Sequence, residues 1–182
     1  MTPGAPLGAA ELRRRVDRLW TSVEEAGGSR DAVTLVAVTK GFDVAVAELA
    51  ASCDLSDLGE NYAQELLAKA PVLAAGPHPV RWHAIGRLQR NKVRQLAPVV
   101  HLWQTVDRLE LATEIARRAP GARVLVQVNT SGEPAKGGID PTGAPDLVRA
   151  AADLGLAVEG LMTVGRTGPP ESSGWATQPS AA

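Results

Sequence analysis

The chain has 182 residues and carries 19 Lys and Arg against 20 Asp and Glu, a net charge of −1. Such a length suits one domain or a little more, and so even a charge argues against a protein built to hold nucleic acid or to rest on a membrane surface. Hydrophobic residues form 45% of it and aromatics only 3%, so the expected core is aliphatic, made of Val, Leu and Ala.

Met1 to Gly8 is rich in Pro and Gly and is expected to fray. Residues 9–26 read as a helix. Leu12, Val16, Leu19 and Val23 recur at helical spacing, arginines fill the other face, and Gly27-Gly28 ends it. A strand–helix rhythm then begins. Strand 33–39 has the near-continuous apolar character of a parallel strand covered on both faces, and Gly41 breaks it before Asp43 caps helix 43–51. There follow strand 55–59, helix 61–70 with Asn61 and Gln64 spaced as a capping box, loop 71–79, strand 80–86 and helix 88–96. Strand 100–106, helix 108–119, strand 123–129, a Gly-rich loop to Gly138, helix 146–154 and strand 157–164 complete the series. About six strand–helix steps behind a leading helix imply an α/β protein with a parallel sheet and right-handed crossovers. Residues 166–182 break the rhythm. They hold Pro169-Pro170, Ser172-Ser173-Gly174 and Trp175 but almost no aliphatic residue, and read as a disordered tail. The expected division is a β/α domain over residues 1–165 and a tail over 166–182.

Candidate chemistry lies at the strand ends. Lys40 closes the first strand, and in barrels of alternating strands and helices the C-terminal end of the strands carries the active site. A lysine there can lose its proton through desolvation and attack a carbonyl as an amine. A lone Val-Thr-Lys would more simply be a lysine reaching solvent. Recurrence shifts the balance: other strands end in Gly59-Glu60-Asn61-Tyr62, Ile85-Gly86-Arg87, Thr105-Val106-Asp107, Gln127-Val128-Asn129 and Met162-Thr163-Val164-Gly165, which one sheet would gather on one rim. Taken singly, Asn61, Asp107 and Ser131 are helix caps or turn residues. Val38, Ile85 and Met162 can wall a flat ring, with core packing as their main expected role.

The remaining candidates have plainer readings. His83 is expected to pack and hydrogen-bond on its strand, and His78 and His101 have no partner at metal spacing, so no metal is expected. Cys53 reads as a small buried residue; as the sole cysteine it excludes an intrachain disulfide and suits a reducing compartment. Lys136 reads as an exposed lysine in a mobile loop, one that could contact a cofactor or its phosphate. Arg87, Arg90, Lys92 and Arg94 read as a solvated face, without the interleaved aromatics of an RNA site. There is no Walker-type loop and no GxGxxG. With no signal-peptide core near Met1 and no apolar run of membrane-spanning length, the expectation is a cytoplasmic protein.

Six runs, in order from about Val33 to Gly165, carry a family likeness. They are Leu35-Val36-Ala37-Val38-Thr39-Lys40, Gly59-Glu60-Asn61-Tyr62-Ala63-Gln64-Glu65, Trp82-His83-Ala84-Ile85-Gly86-Arg87-Leu88-Gln89-Arg90-Asn91-Lys92, Val126-Gln127-Val128-Asn129 with Ser131-Gly132-Glu133, Lys136-Gly137-Gly138, and Gly160-Leu161-Met162-Thr163-Val164. On them the chain resembles the pyridoxal phosphate homeostasis protein family, a stand-alone relative of the alanine racemase N-terminal barrel domain. The resemblance implies a TIM-barrel-like fold of the PLP fold type III kind. It implies that Lys40 forms a Schiff base with the aldehyde of pyridoxal 5'-phosphate (PLP) and that Asn61 lies by the cofactor; Met162 joins them as cofactor-binding, and no residue is assigned as catalytic. The function implied is PLP binding in intracellular PLP homeostasis, without turnover. The expected partners are the small molecule itself and PLP-dependent apoenzymes, with neither nucleic acid nor membrane, in a monomer or weak homodimer.

The likeness has one large departure. The family continues past its sixth strand with two more strand–helix units, whose loops grip the cofactor phosphate through a Ser-Met-Gly-Met-Ser-like turn and an Arg-x-Gly turn; neither follows here. About six of eight units do not close a barrel that usually takes roughly 200–250 residues. The match stops at Arg166 as a frameshift or truncation would stop it. The expectations are an incomplete barrel with open edges at its first and sixth strands, weakened affinity for PLP, and a tendency to aggregate or dimerise. Two other readings compete. A PLP-dependent racemase needs a second acid/base, normally a tyrosine from a following β domain, and Tyr62 is the one tyrosine present. A nonfunctional truncated fragment would melt without a cooperative transition.

Overall fold

Six strands lie side by side in the order in which the chain makes them. They are seen in a computed structural model that describes residues 8–133 and 136–165. The proposed tail, and with it the division at 165/166, lies outside the described residues. Helix α1 (Ala9–Glu25) leads. Then come β1 (Ala37–Val38), α2 (Val44–Ala51), β2 (Asp57–Glu60), α3 (Ala63–Ala74) and β3 (Arg81–Ala84). A 3-10 turn (Arg90–Lys92) leads into the single α-helical turn α4 (Val93–Leu96) before β4 (Val100–Val106), α5 (Leu109–Arg118) and β5 (Arg123–Gln127). A second 3-10 turn (Pro141–Gly143), α6 (Ala144–Asp153) and β6 (Ala157–Met162) complete the described chain. Every neighbouring pair of strands is parallel. The sheet is open: among the described residues β1 and β6 are its edges.

The two faces of the sheet differ sharply. Leu58, Trp82, Ala84, Trp103, Val106, Val124 and Val126 point to the helices and meet Leu66, Leu73, Leu96, Leu111, Ile115 and Leu147 in one contiguous core. The core is largely aliphatic, as composition requires, with two tryptophans as its bulkiest members. On the other, inner face, a β-carbon built on Gly59 would stand 3.1 Å from Ile85 and 3.3 Å from Val36 and Val38, so these residues share a surface. Towards the N-terminal ends of the strands that face turns polar, with a cavity of about 390 Å³ lined by Thr34, Val36, Asp57, Arg81, His83, His101, Gln104, Arg123 and Glu159 among others.

Four departures from the sequence reading have physical causes. The first strand pairs only over Ala37–Val38, and Val38 is 45% exposed rather than covered on both faces. Among the described residues it has a neighbouring strand on one side only, and Val38 is left open on the inner face. The capping box of Asn61 and Gln64 does not form: Tyr62 is the N-cap of α3 and makes no side-chain cap bond. Helix α3 continues through Pro71 to Ala74 instead of stopping before it. Proline removes one helical donor, but Leu73 beyond it is buried in the core, and the Ala75 amide reaches back to the Pro71 carbonyl at 3.2 Å. Helix 88–96 shrinks to a 3-10 turn and one α-turn, from which Val93 and Leu96 reach the core.

Candidate functional site

Lys40 stands where β1 gives way to a turn. Gly41 carries φ +75, a left-handed conformation that favours glycine, and the Phe42 amide closes the turn on the Thr39 carbonyl at 3.2 Å. Alternation along the strand puts Lys40 on the inner face, following Val36 and Val38. The residue is exposed, and its amine has no hydrogen-bond or ion-pair partner among the described residues. The desolvation expected from sequence is therefore not seen; what the turn supplies is a fixed backbone under a free amine.

That backbone is held from behind by α3. Lys69, buried in the helix, donates to the Thr39 carbonyl at 2.9 Å and to Glu60 Oε1 at 2.6 Å. Thr39 Oγ1 donates to the same Glu60 oxygen at 2.7 Å. One turn earlier on α3, Glu65 Oε2 accepts the Gly41 amide at 2.8 Å and lies 3.5 Å from Lys69 Nζ. The Gly41 amide, more than the Lys69 charge, holds the Glu65 carboxyl below the usual carboxylate range. Sequence reasoning missed Glu60, Glu65 and Lys69. A signal was present: Leu66, Lys69, Ala70 and Leu73 fall at the i, i+3, i+4, i+7 positions of a core-facing stripe, and a lysine in such a stripe needs a buried partner.

Asn61 follows β2 on the neighbouring turn, half-buried, its side chain unpartnered among the described residues. It is pressed by Gly86 after β3, where a β-carbon would come within 2.6 Å of the Asn61 α-carbon and carbonyl oxygen. Asn61 also lines a cavity of about 380 Å³ with Tyr62, Gln64, Arg87, Leu88 and Lys92, so part of the basic run faces this rim. Met162 ends β6 on the far edge of the sheet, half-buried and in register with Gln127. Thus the fold sets Lys40 and Asn61 side by side, while Met162 belongs to the opposite edge of the same rim. Gln127, also missed from sequence, is buried with Oε1 unpartnered.

The other candidates settle into structural places. His83 is clamped between Asp57 Oδ1 (2.9 Å) and Gln104 Nε2 (2.7 Å) on the polar half of the inner face. His101 lies beside Arg123, and burial together with that guanidinium pushes its pKa down. Cys53 is buried as expected, its thiol 3.8 Å from the Ala9 carbonyl. Lys136 departs from its expected exposure: its ammonium donates to Glu133 at 2.8 Å and to the Gly165 carbonyl at 2.6 Å, with 15% of the side chain exposed. Asn129 ties the same loop through the Ser131 and Gly132 amides. Among the described residues no helix is long and apolar enough to cross a membrane.

No family model matches the chain. A pyridoxal phosphate homeostasis protein of Pseudomonas aeruginosa is 35% identical over 161 residues, which cover 86% of this chain and 69% of the relative. One from Aquifex aeolicus is 36% identical over 158 residues, covering 84% and 68%. The chain belongs to the pyridoxal phosphate homeostasis protein family. A crystal structure of an unknown protein from Bifidobacterium adolescentis superposes with a TM-score of 0.81 at 34% identity, covering 91% of this chain and 72% of that one. PipY of Synechococcus elongatus with PLP bound gives 0.68 at 26% identity, covering 87% and 72%. Alanine racemase of Oenococcus oeni, at 16% identity and a TM-score of 0.64, shares the fold alone, over 91% of this chain and 48% of the racemase. The family resemblance and the α/β, TIM-barrel-like fold read from sequence are therefore borne out. In this member of the homeostasis family the described sheet stops short of closure, at six strands.

Proposed function

We propose that this protein binds PLP through the Lys40 amine, as a non-catalytic member of its family that holds the cofactor for cytoplasmic apoenzymes. The observation that carries the reading is the free amine of Lys40 at the C-terminal end of β1, beside Asn61, on the rim where barrels of this kind do their chemistry. PLP supplies an aldehyde that condenses with a primary amine with loss of one water. The donor set fits that group. Lys40 offers an amine that no carboxylate of the described residues holds, Val38 and Ile85 offer an apolar wall, and Gly59 leaves room between them. Asn61 offers an amide without a competing partner among the described residues, and Met162 extends the wall from the far edge.

The reading also takes the protein as a monomer or weak homodimer. The test is a visible-absorbance titration with PLP, followed by borohydride reduction and peptide mapping. Label on Lys40 supports the reading, and label scattered over surface lysines rejects it. Racemisation of alanine at cofactor saturation would overturn the non-catalytic part.

A further inference from the structure

The peptide groups on both sides of Lys40 are each held by a charged side chain from the same helix. The carbonyl of Thr39 accepts from Lys69 and the amide of Gly41 donates to Glu65, four residues apart on α3. Few turns need this. A turn closed by glycine at φ +75 and by its own Phe42 to Thr39 bond is already complete. The cost is considerable, since burying an ammonium and a carboxylate is unfavourable unless both are fully paired. Here Lys69 Nζ finds three oxygens, on Thr39, Glu60 and Glu65, while Glu60 Oε2 is left without a partner among the described residues. A leucine or methionine at 69 would fill the core stripe more cheaply.

We infer that Glu65 and Lys69 are positioning residues, which clasp the backbone on either side of Lys40 so that its amine is presented to an aldehyde in a single orientation. The inference rests on the reading of Lys40 as the PLP amine. Neither residue is assigned a contact with the cofactor. Both act through the main chain, by narrowing the arc that Lys40 sweeps, and reaction rates respond strongly to such orientation. Because the clasp grips backbone atoms, it works whatever side chain stands at 40, so its integrity can be read independently of cofactor chemistry.

The decisive variant is Glu65→Ala. Glu65 is only partly buried, its side chain 32% exposed, so the change leaves the core intact. It frees the Gly41 amide. We expect Gly41 hydrogen exchange to accelerate and labelling of Lys40 by PLP and borohydride to slow by at least about tenfold, as befits loss of one charge-assisted hydrogen bond. Glu65→Gln keeps an oxygen for the Gly41 amide and should recover most of both. Lys69→Met, which strands Glu60, should slow labelling further but also destabilise the fold. If Glu65→Ala labels Lys40 at the parent rate, the positioning role is overturned while the function stands. If the parent itself takes no label at Lys40, the proposed function fails and the role falls with it; Gly41 exchange in Glu65→Ala still tells whether the clasp exists.

Discussion

The inner face of the sheet has two ends, and they are built on opposite principles. At the N-terminal end every charged side chain is engaged: Arg81 forks onto both oxygens of Asp57, His83 bridges Asp57 to Gln104, and Arg123 pairs with Glu159. At the C-terminal end Lys40 and Asn61 have no side-chain partner among the described residues, and Val38 is nearly half exposed. The first end joins β2 to β3 and β5 to β6 through side chains. At the second, Lys40 and Asn61 stay unpartnered among the described residues, and the backbone around Lys40 is held by α3. The paired charges and the proposed site thus lie at different ends of one surface, as the functional asymmetry of β/α barrels leads one to expect.

Damage to the engaged end should show this most strongly. Asp57→Ala leaves Arg81 and the buried His83 without their acceptor. Removing one partner of a buried pair costs about 3–5 kcal/mol, and we expect a loss near the lower figure because half of Arg81 is in solvent. Denaturant unfolding measures it. If the two ends are independent, the protein that remains folded still takes PLP label on Lys40; loss of labelling in the folded fraction would break the comparison.

Gly86→Ala attacks the other end through packing. The added methyl would meet the Asn61 backbone at 2.6 Å, and main chain cannot rotate away as a long side chain can. Overpacking of this kind costs about 1–3 kcal/mol. The shift falls on Asn61, so PLP affinity should drop together with stability. A Gly86→Ala protein as stable and as tightly binding as the parent would show that the approach of Gly86 to Asn61 matters to neither end.

How much of this could be read from the residues alone depends on how local each cause is. Helix α1, the Asp43 cap, which accepts the Val46 amide, and strand β4 were legible because each is written in consecutive residues. The rim position of Lys40 followed from the strand–turn pattern. Its exposure did not, since that depends on what covers the inner face of an edge strand. The Glu65–Lys69 clasp was hidden for a related reason: its acceptors and donors sit on Thr39 and Gly41, and only the crossover packing of α3 brings them within reach. Lys136 was misjudged on the same ground, its partner Gly165 lying 29 positions away.

Acid separates the buried end from ordinary surface pairs by a smaller margin. Burial pushes the Asp57 carboxyl up, but hydrogen bonds from Arg81 and His83 outweigh it and hold the pKa below the usual aspartate value. A depressed folded-state pKa contributes stability that is fully present above the unfolded value, about 3.9, and is lost as pH falls through the folded one. The parent should therefore lose stability below about pH 4, and Asp57→Asn should flatten that fall. Glu11, held down to about 2 by Arg15 and Arg14 on exposed α1, adds to the same limb. Its share should vanish in high salt, whereas the Asp57 share persists because a buried pair is screened far less. If salt abolishes the difference between parent and Asp57→Asn, the two ends do not differ in the way described.

The smallest effect on stability should come from the residue on which the proposed function turns. Lys40 has no partner to lose among the described residues, and substitutions at exposed positions away from special features usually stay within about 0.5 kcal/mol. Lys40→Gln should accordingly melt with the parent and keep the Gly41 amide as protected as before, since Glu65 and Lys69 grip the backbone and not the side chain. Yet it should take no borohydride-fixed label at position 40 and lose the visible absorbance that PLP acquires on the parent. A protein indifferent in stability and abolished in labelling is what a side chain kept free for a ligand predicts. A Lys40→Gln protein that unfolds early would instead mean that the amine was holding the fold together, and the contrast between the two ends of the sheet would have to be redrawn.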